Sequence, residues 1–220
     1  MIAKHAIDDS IPFLKLTDKV FFALELMEEY KLFSLPIITE EKLYGIVSED
    51  QLLEIDESLT LEQLEFPLIK IAVNDFLHIF DVMKLGYENN SDVIPVINKE
   101  ENYLGLITKK SILNVLQFFS FAKEQGGILV LEVDVVQYSL SEITRIVESN
   151  KALVLSVATS SVKDNIDKIN VTIKVNVLDL TYILASFERY DYSIVSVFHK
   201  AEQIDQLQER YDALMYYMNI

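Results

Sequence analysis

A pattern that occurs twice limits what this chain can fold into more than any other feature. Leu35-Pro36-Ile37-Ile38, a polar turn over 39–42 and Leu43-Tyr44-Gly45-Ile46-Val47-Ser48 return as Ile94-Pro95-Val96-Ile97, a turn over 98–102 and Tyr103-Leu104-Gly105-Leu106-Ile107-Thr108. Upstream, Ile11-Pro12-Phe13-Leu14-Lys15-Leu16 returns as Phe66-Pro67-Leu68-Ile69-Lys70-Ile71, so the offset is 55 at the first proline, 59 at the second and 60 at the glycine. All four prolines pair off between two copies. An apolar run, a polar turn and a second apolar run closed by Gly, two apolar residues and Ser or Thr describe a buried strand pair ending in a hydroxyl at the sheet edge. One such unit rarely buries its own apolar face, which is why it comes with a neighbour.

Around each strand pair the spacing predicts helices. Thr17 or Asp18 can cap a helix bearing Val20, Phe21, Leu24 and Met27, ending near 30–33, and Ser48 is placed to cap the closing helix of the first unit. Residues 54–65 read as an acidic connector with some helix. In the second unit Asn74 or Asp75 caps a helix bearing Phe76, Ile79, Phe80 and Met83, broken at Gly86, and His78 falls inside it. The closing helix, Ser111 to about Lys123, is apolar on more than one face through Ile112, Leu113, Val115, Leu116, Phe118, Phe119 and Phe121, as buried helices are.

Gly126-Gly127, where the pattern changes, marks a domain boundary. Beyond it, strands over 128–136, 153–158, 169–177 and 193–198 alternate with helices over 139–150 and 179–190 in the order βαββαβ, the ferredoxin-like plan. The tail carries Ile204, Leu207, Tyr211, Leu214, Met215 and Met218 at helical spacing, for packing on its own domain or on a partner subunit. The fold class is α/β (α+β): repeats over 1–62 and 63–124, a ferredoxin-like domain over 127–200 and a C-terminal helix over 201–220.

Charge and composition then exclude whole classes of function. A formal net charge of −16 opposes nucleic acid and anionic membrane as main partners, since both need basic patches. No apolar run approaches the roughly 18 residues needed to cross a bilayer, and residues 1–10 lack a secretory signal, so the expectation is a cytoplasmic protein. With no cysteine there is no disulfide, thiolate nucleophile or cysteine metal site. The acidic pairs Glu40-Glu41, Glu49-Asp50 and Glu100-Glu101 read as solvated faces rather than metal ligands. His5, His78 and His199 stand alone, and no Gly-rich phosphate loop, nucleophile elbow or His-Glu-x-x-His occurs, so catalysis is not expected.

The repeated Pro, Gly and Ser/Thr of residues 1–120 resemble the CBS domain, and two in tandem resemble the CBS pair (Bateman module), a regulatory unit that often binds adenosine derivatives in the clefts between its halves. The resemblance implies AMP, ADP or ATP as a regulatory ligand, with no cofactor required, at Thr17, Ser34, Pro36, Ser48 and Gln51 in one copy and Val93, Pro95, Thr108, Lys109, Lys110 and Ser111 in the other. Such clefts usually place Asp three residues after the hydroxyl, to hold both ribose hydroxyls. Here Gln51 and Ser111 stand there. A hydrogen bond to a charged group is worth about 1.5–3 kcal/mol against about 0.5–1.5 for a neutral one, so each site loses roughly tenfold in affinity. For Ser48 and Thr108 a helix N-cap is the competing role. Lys109-Lys110, the one adjacent basic pair, lies where a phosphate would come, and makes the second copy the better site.

Leu131-Glu132-Val133-Asp134-Val135 and Leu140-Ser141-Glu142-Ile143 resemble the opening of the ACT domain, a regulatory module that commonly binds amino acids at dimer interfaces. That implies an interface around Gln137, Tyr138 and Ser139. The family usually has Pro-Gly before the first helix, and a tyrosyl side chain at Tyr138 can block a ligand's approach to the backbone. The expected function is a non-catalytic regulator, with a CBS pair sensing an adenine nucleotide or related metabolite and an ACT-like domain. The alternative is an interaction module whose clefts and ACT interface have lost their ligands. Either way the apolar helices over 112–121 and 204–218 predict a homodimer, with a regulated protein as a further partner.

Overall fold

The computed structural model describes residues 1–64, 68–163 and 165–198. Phe66, Pro67, His199 and the helix expected over 201–220 lie outside them. The chain divides into two compact units, Met1–Phe118 and one beginning at Phe119, and each is taken by itself.

In the first unit, α1 (Val20–Tyr30) leads into the hairpin β1 (Ser34–Thr39) and β2 (Lys42–Ser48), and α2 (Glu49–Leu52) closes the copy. The second copy runs β3 (Val73–Asn74), α3 (Ile79–Glu88), β4 (Val93–Ile97), β5 (Tyr103–Thr108) and α4 (Lys109–Leu116). Glu40 and Glu41 form the two-residue turn of the first hairpin with φ of 50° and 64°, the twist that suits a tight hairpin. Leu14 bridges Ile37 in parallel as Val73 does Val96. Leu14 and Val73 are therefore counterparts, at an offset of 59, and the sequence offset of 55 at the upstream motif is not the structural one.

The leading segments are exchanged between the copies. Ile69, just before the second copy, bridges Ile46 of the first, and Asp8, just before the first copy, bridges Leu106 of the second. Each leading segment thus completes the other copy's hairpin, with Asp8 N–H donating to Leu106 O at 2.8 Å and Ile46 N–H to Ile69 O at 2.9 Å. This crossing explains the repeated glycine. A Cβ at Gly45 would sit 2.5 Å from Leu68 Cβ, and one at Gly105, where φ is +150°, would overlap Ile7 Cγ2. The hairpin turns also meet, through the bridge Lys42–Asn102 and Tyr103 N–H donating to Glu41 O.

Several helix boundaries differ from expectation. Neither Thr17 nor Asp18 caps α1: Asp18 Oδ2 accepts from Lys15 N–H at 2.7 Å, and Lys19 holds the cap position. His78 lies before α3 rather than within it, its Nδ1 accepting from Phe80 N–H. Gly86 does not break α3, and its small size lets Ile94 of β4 come close. The long closing helix is two short ones, α4 and α5 (Ser120–Lys123), on either side of the division between units. Leu113 and Phe118 consequently stand exposed.

The second unit is β6 (Ile128–Asp134), α6 (Leu140–Ser149), β7 (Val154–Val162), β8 (Asn165–Val175), α7 (Thr181–Arg189) and β9 (Ser193–Phe198). The four strands form one antiparallel sheet in the order β7-β8-β6-β9, the ferredoxin-like plan. Its core joins Leu129, Leu131 and Val133 of β6 to Ile143, Ile146 and Val147 of α6 and to Phe187 of α7. Gly126-Gly127 belongs to this unit: Gly127 N–H donates to Val177 O, and a Cβ on Gly126 would overlap the Val175 carbonyl.

Candidate functional site

Cross-strand register decides which candidate residues meet. Ser34 pairs with Ser48 across the first hairpin, and Val93 with Thr108 across the second. Both pairs stand where a strand hands over to α2 or α4, so Ser34, Ser48 and Gln51 gather at one hairpin end, and Val93, Thr108, Lys109, Lys110 and Ser111 at its counterpart. Pro36 and Pro95 lie further along the strands, buried against Ile46 and Leu106. Pro36 O already accepts from Leu14 N–H. Thr17 is elsewhere: it lines a hollow of about 510 Å³ with Ile38, Thr39 and Glu40, at the far end of β1 from Ser34.

The hydroxyls at these ends are used by the fold itself. Thr108 Oγ1 accepts from Ser111 N–H at 3.0 Å, while Ser111 Oγ accepts from Thr108 N–H at 2.7 Å and donates to Thr108 O. This is a reciprocal capping box. Both side chains are buried, at 4% and 6% exposure. In the first copy Gln51 Oε1 accepts from both Ser48 N–H and Ser48 Oγ. Gln51 and Ser111, three residues after each hydroxyl, therefore reach back to the cap. Lys109 and Lys110, in the first turn of α4, remain exposed.

Asp92, which gave no signal in the sequence, ties the two ends together. Its carboxylate accepts from Ser34 Oγ and from Phe33 N–H, the latter at 2.8 Å. By the offset of 59 Asp92 is the counterpart of Phe33, so one copy's turn supplies a carboxylate where the other presents a phenyl ring and two donors. A buried hydroxyl needs such a partner.

From this junction two grooves run between the helices, one in each copy and built from counterpart positions. The α1/α2 groove, about 650 Å³, is lined by Phe21, Leu24, Phe33 and Leu53 together with Glu25, Glu28, Glu49, Glu57 and Lys31. The α3/α4 groove, about 450 Å³, is lined mostly by apolar groups, Met83, Tyr87, Ile94, Ile112, Leu113 and Leu116 among them, with Asp92 and Lys109. Exposure is high for Phe33 (67%), Leu53 (64%), Tyr87 (88%) and Leu113 (68%). Apolar area gathered in this way marks an interaction surface.

In the second unit, Gln137 lines a polar cavity of about 520 Å³ with Glu132, Asp134, Glu142, Lys168, Asp191 and Tyr192. Tyr138 turns from it to pack on the core, and Ser139 caps α6, accepting from Glu142 N–H. The tyrosyl group thus does not stand over the backbone as expected. The hydrogen bond from Lys168 to Glu132 holds the ammonium above its usual range. Burial, and then the hydrogen bond to Glu142, push the Tyr192 phenol up to about 12. Four carboxylates around one lysine disfavour an anionic ligand there. Among the described residues, no group of three His, Asp or Glu could hold a metal ion and no helix is long and apolar enough to cross a membrane.

The family model of the CBS domain matches residues 3–58 and 69–117, so the first unit is a tandem of CBS domains. The chain is 26% identical over 150 residues to inosine-5'-monophosphate dehydrogenase of Bacillus subtilis, covering 63% of this chain and 30% of that enzyme. To the same enzyme of Halalkalibacterium halodurans it is 30% identical over 129 residues, 54% of this chain and 25% of that one. It thus spans about a quarter to a third of the relatives' length. Among solved structures, a CBS domain pair/ACT domain protein of Thermotoga maritima is 19% identical with a TM-score of 0.47, covering 53% of this chain and 96% of that one. CBSX2 in complex with AMP is 22% identical with a TM-score of 0.45, over 52% and 95%.

Proposed function

We propose that this is a non-catalytic regulatory protein whose tandem CBS repeat works as an assembly module, taking a second copy on its helix faces and passing that state to the ACT-like second unit. One observation carries the reading. The hydroxyls that would face a ligand, on Ser34, Ser48, Thr108 and Ser111, are engaged in the fold's own hydrogen bonds, while the helix faces leave Phe33, Leu53, Tyr87 and Leu113 in water. Homodimers are the commonest closed assembly, and each of these side chains gains about 1.5–3 kcal/mol when it is covered. Light scattering at micromolar concentration tests it: a dimer is expected, and a monomer overturns the reading.

A second reading, adenine-nucleotide sensing, is favoured by a separate observation, the exposure of Lys109 and Lys110 at the start of α4. There AMP or ADP binds more tightly than adenosine, and binding weakens with salt. A ligand that binds only the folded state raises the melting temperature, so a thermal-shift screen with adenosine, AMP, ADP and ATP finds it. Calorimetry on Lys109→Ala/Lys110→Ala then decides. Equal affinity in parent and variant removes these lysines from the site.

A further inference from the structure

Resting on the assembly reading, which names the partner as a second copy, we infer its orientation: two copies pair head to tail, the α1/α2 face of each against the α3/α4 face of the other. The two faces are counterparts and adjoin each other, since Phe33, in the first groove, and Asp92, in the second, are hydrogen-bonded. A second copy can therefore meet them in either of two ways. Both bury the same apolar side chains, so charge decides between them.

The counterpart faces differ sharply in charge. Glu25, Glu28, Glu49 and Glu57 line the first groove against a single Lys31. At the position of Glu49 the second groove has Lys109, followed by exposed Lys110. Pairing like with like sets eight carboxylates against two lysines in one interface while apolar contact removes the water that screens them. Head-to-tail pairing instead lays the acidic groove against Lys109 and Lys110, and a two-fold axis makes that contact twice. Like charges across an interface suppress a wrong arrangement more strongly than they add affinity to the right one, and a two-fold axis lets every such pair count double.

Because the chain has no cysteine, single cysteines report the orientation. Leu53→Cys and Leu113→Cys place a thiol at counterpart, exposed positions of the two grooves. The two full-length variants are expressed singly and together under separate tags, then treated with a short bismaleimide. Head-to-tail pairing gives a cross-linked dimer several-fold more abundant from the mixed pair than from either variant alone. Leu53→Cys linking to itself as well as or better than to Leu113→Cys overturns the orientation, and so does a dimer by light scattering with no cross-link at all. A monomer by light scattering overturns the assembly reading itself. Charge reversal checks the cause: Lys109→Glu/Lys110→Glu weakens the dimer at least tenfold, and adding Glu25→Lys/Glu28→Lys restores it. If Glu25→Lys/Glu28→Lys alone strengthens the dimer, like faces meet and the proposal fails.

Discussion

Replacing Gly105 by alanine tests whether the exchange of leading segments holds the CBS tandem together. Gly105 lies in β5 at φ +150°, under the segment that brings Asp8 to Leu106. An L residue forced into that region costs about 1–3 kcal/mol. The new methyl also overlaps Ile7 Cγ2, and overpacking of this kind typically costs about 1–3 kcal/mol. Reduced freedom of the unfolded chain offsets about 0.4–1 kcal/mol. The expected net loss is about 3 kcal/mol by these figures. Gly45→Ala lacks the dihedral penalty, so it loses less, about 1–2 kcal/mol from overpacking against Leu68.

Urea unfolding followed by circular dichroism measures both variants, and a double-mutant cycle separates strain from overlap. Ile7→Ala removes the atom that Gly105→Ala strikes, so the pair should show a coupling energy of about 1–3 kcal/mol, whereas dihedral strain is untouched by it. If Gly105→Ala lies within about 0.5 kcal/mol of the parent, or if coupling to Ile7 is absent, the leading segment does not press on β5 and the account of the glycine fails.

Asp92→Ala should cost about 1.5–3 kcal/mol, because it strands the buried Ser34 hydroxyl and the Phe33 N–H, with Asp92→Asn milder as it keeps an acceptor; an unchanged urea midpoint would show the junction to be incidental. In the second unit the folded Tyr192 phenol titrates near 12 rather than 10, so the folded state holds that proton more tightly and stability falls as pH rises from about 10 to about 12. Tyr192→Phe should remove that part of the pH dependence, and a parallel fall in both proteins would refute it.

The parts of this molecule that the sequence makes legible are those fixed by short-range patterns. The hairpins follow from apolar runs around a polar turn, and the βαββαβ order from alternating periods, because both depend on neighbours within a few residues. The residues three after each hydroxyl were visible as a departure from the family's Asp, and the structure supplies the physical reason: Gln51 and Ser111 complete capping boxes. Illegible were the features made by residues far apart. The upstream motifs at Pro12 and Pro67 look alike, yet Ile69 answers to Asp8 and Val73 to Leu14, since bridges to the other copy set the register and leave no periodic trace. Asp92 reads as a loop residue because its partner lies 58 positions away. The groove charges obey the same logic. Glu49 and Lys109 both open a helix after a Ser or Thr, and as single residues each is an ordinary solvated side chain. Only their placement at one position of a repeated frame, on faces rich in exposed apolar groups, turns the difference into a preference for how a second copy approaches.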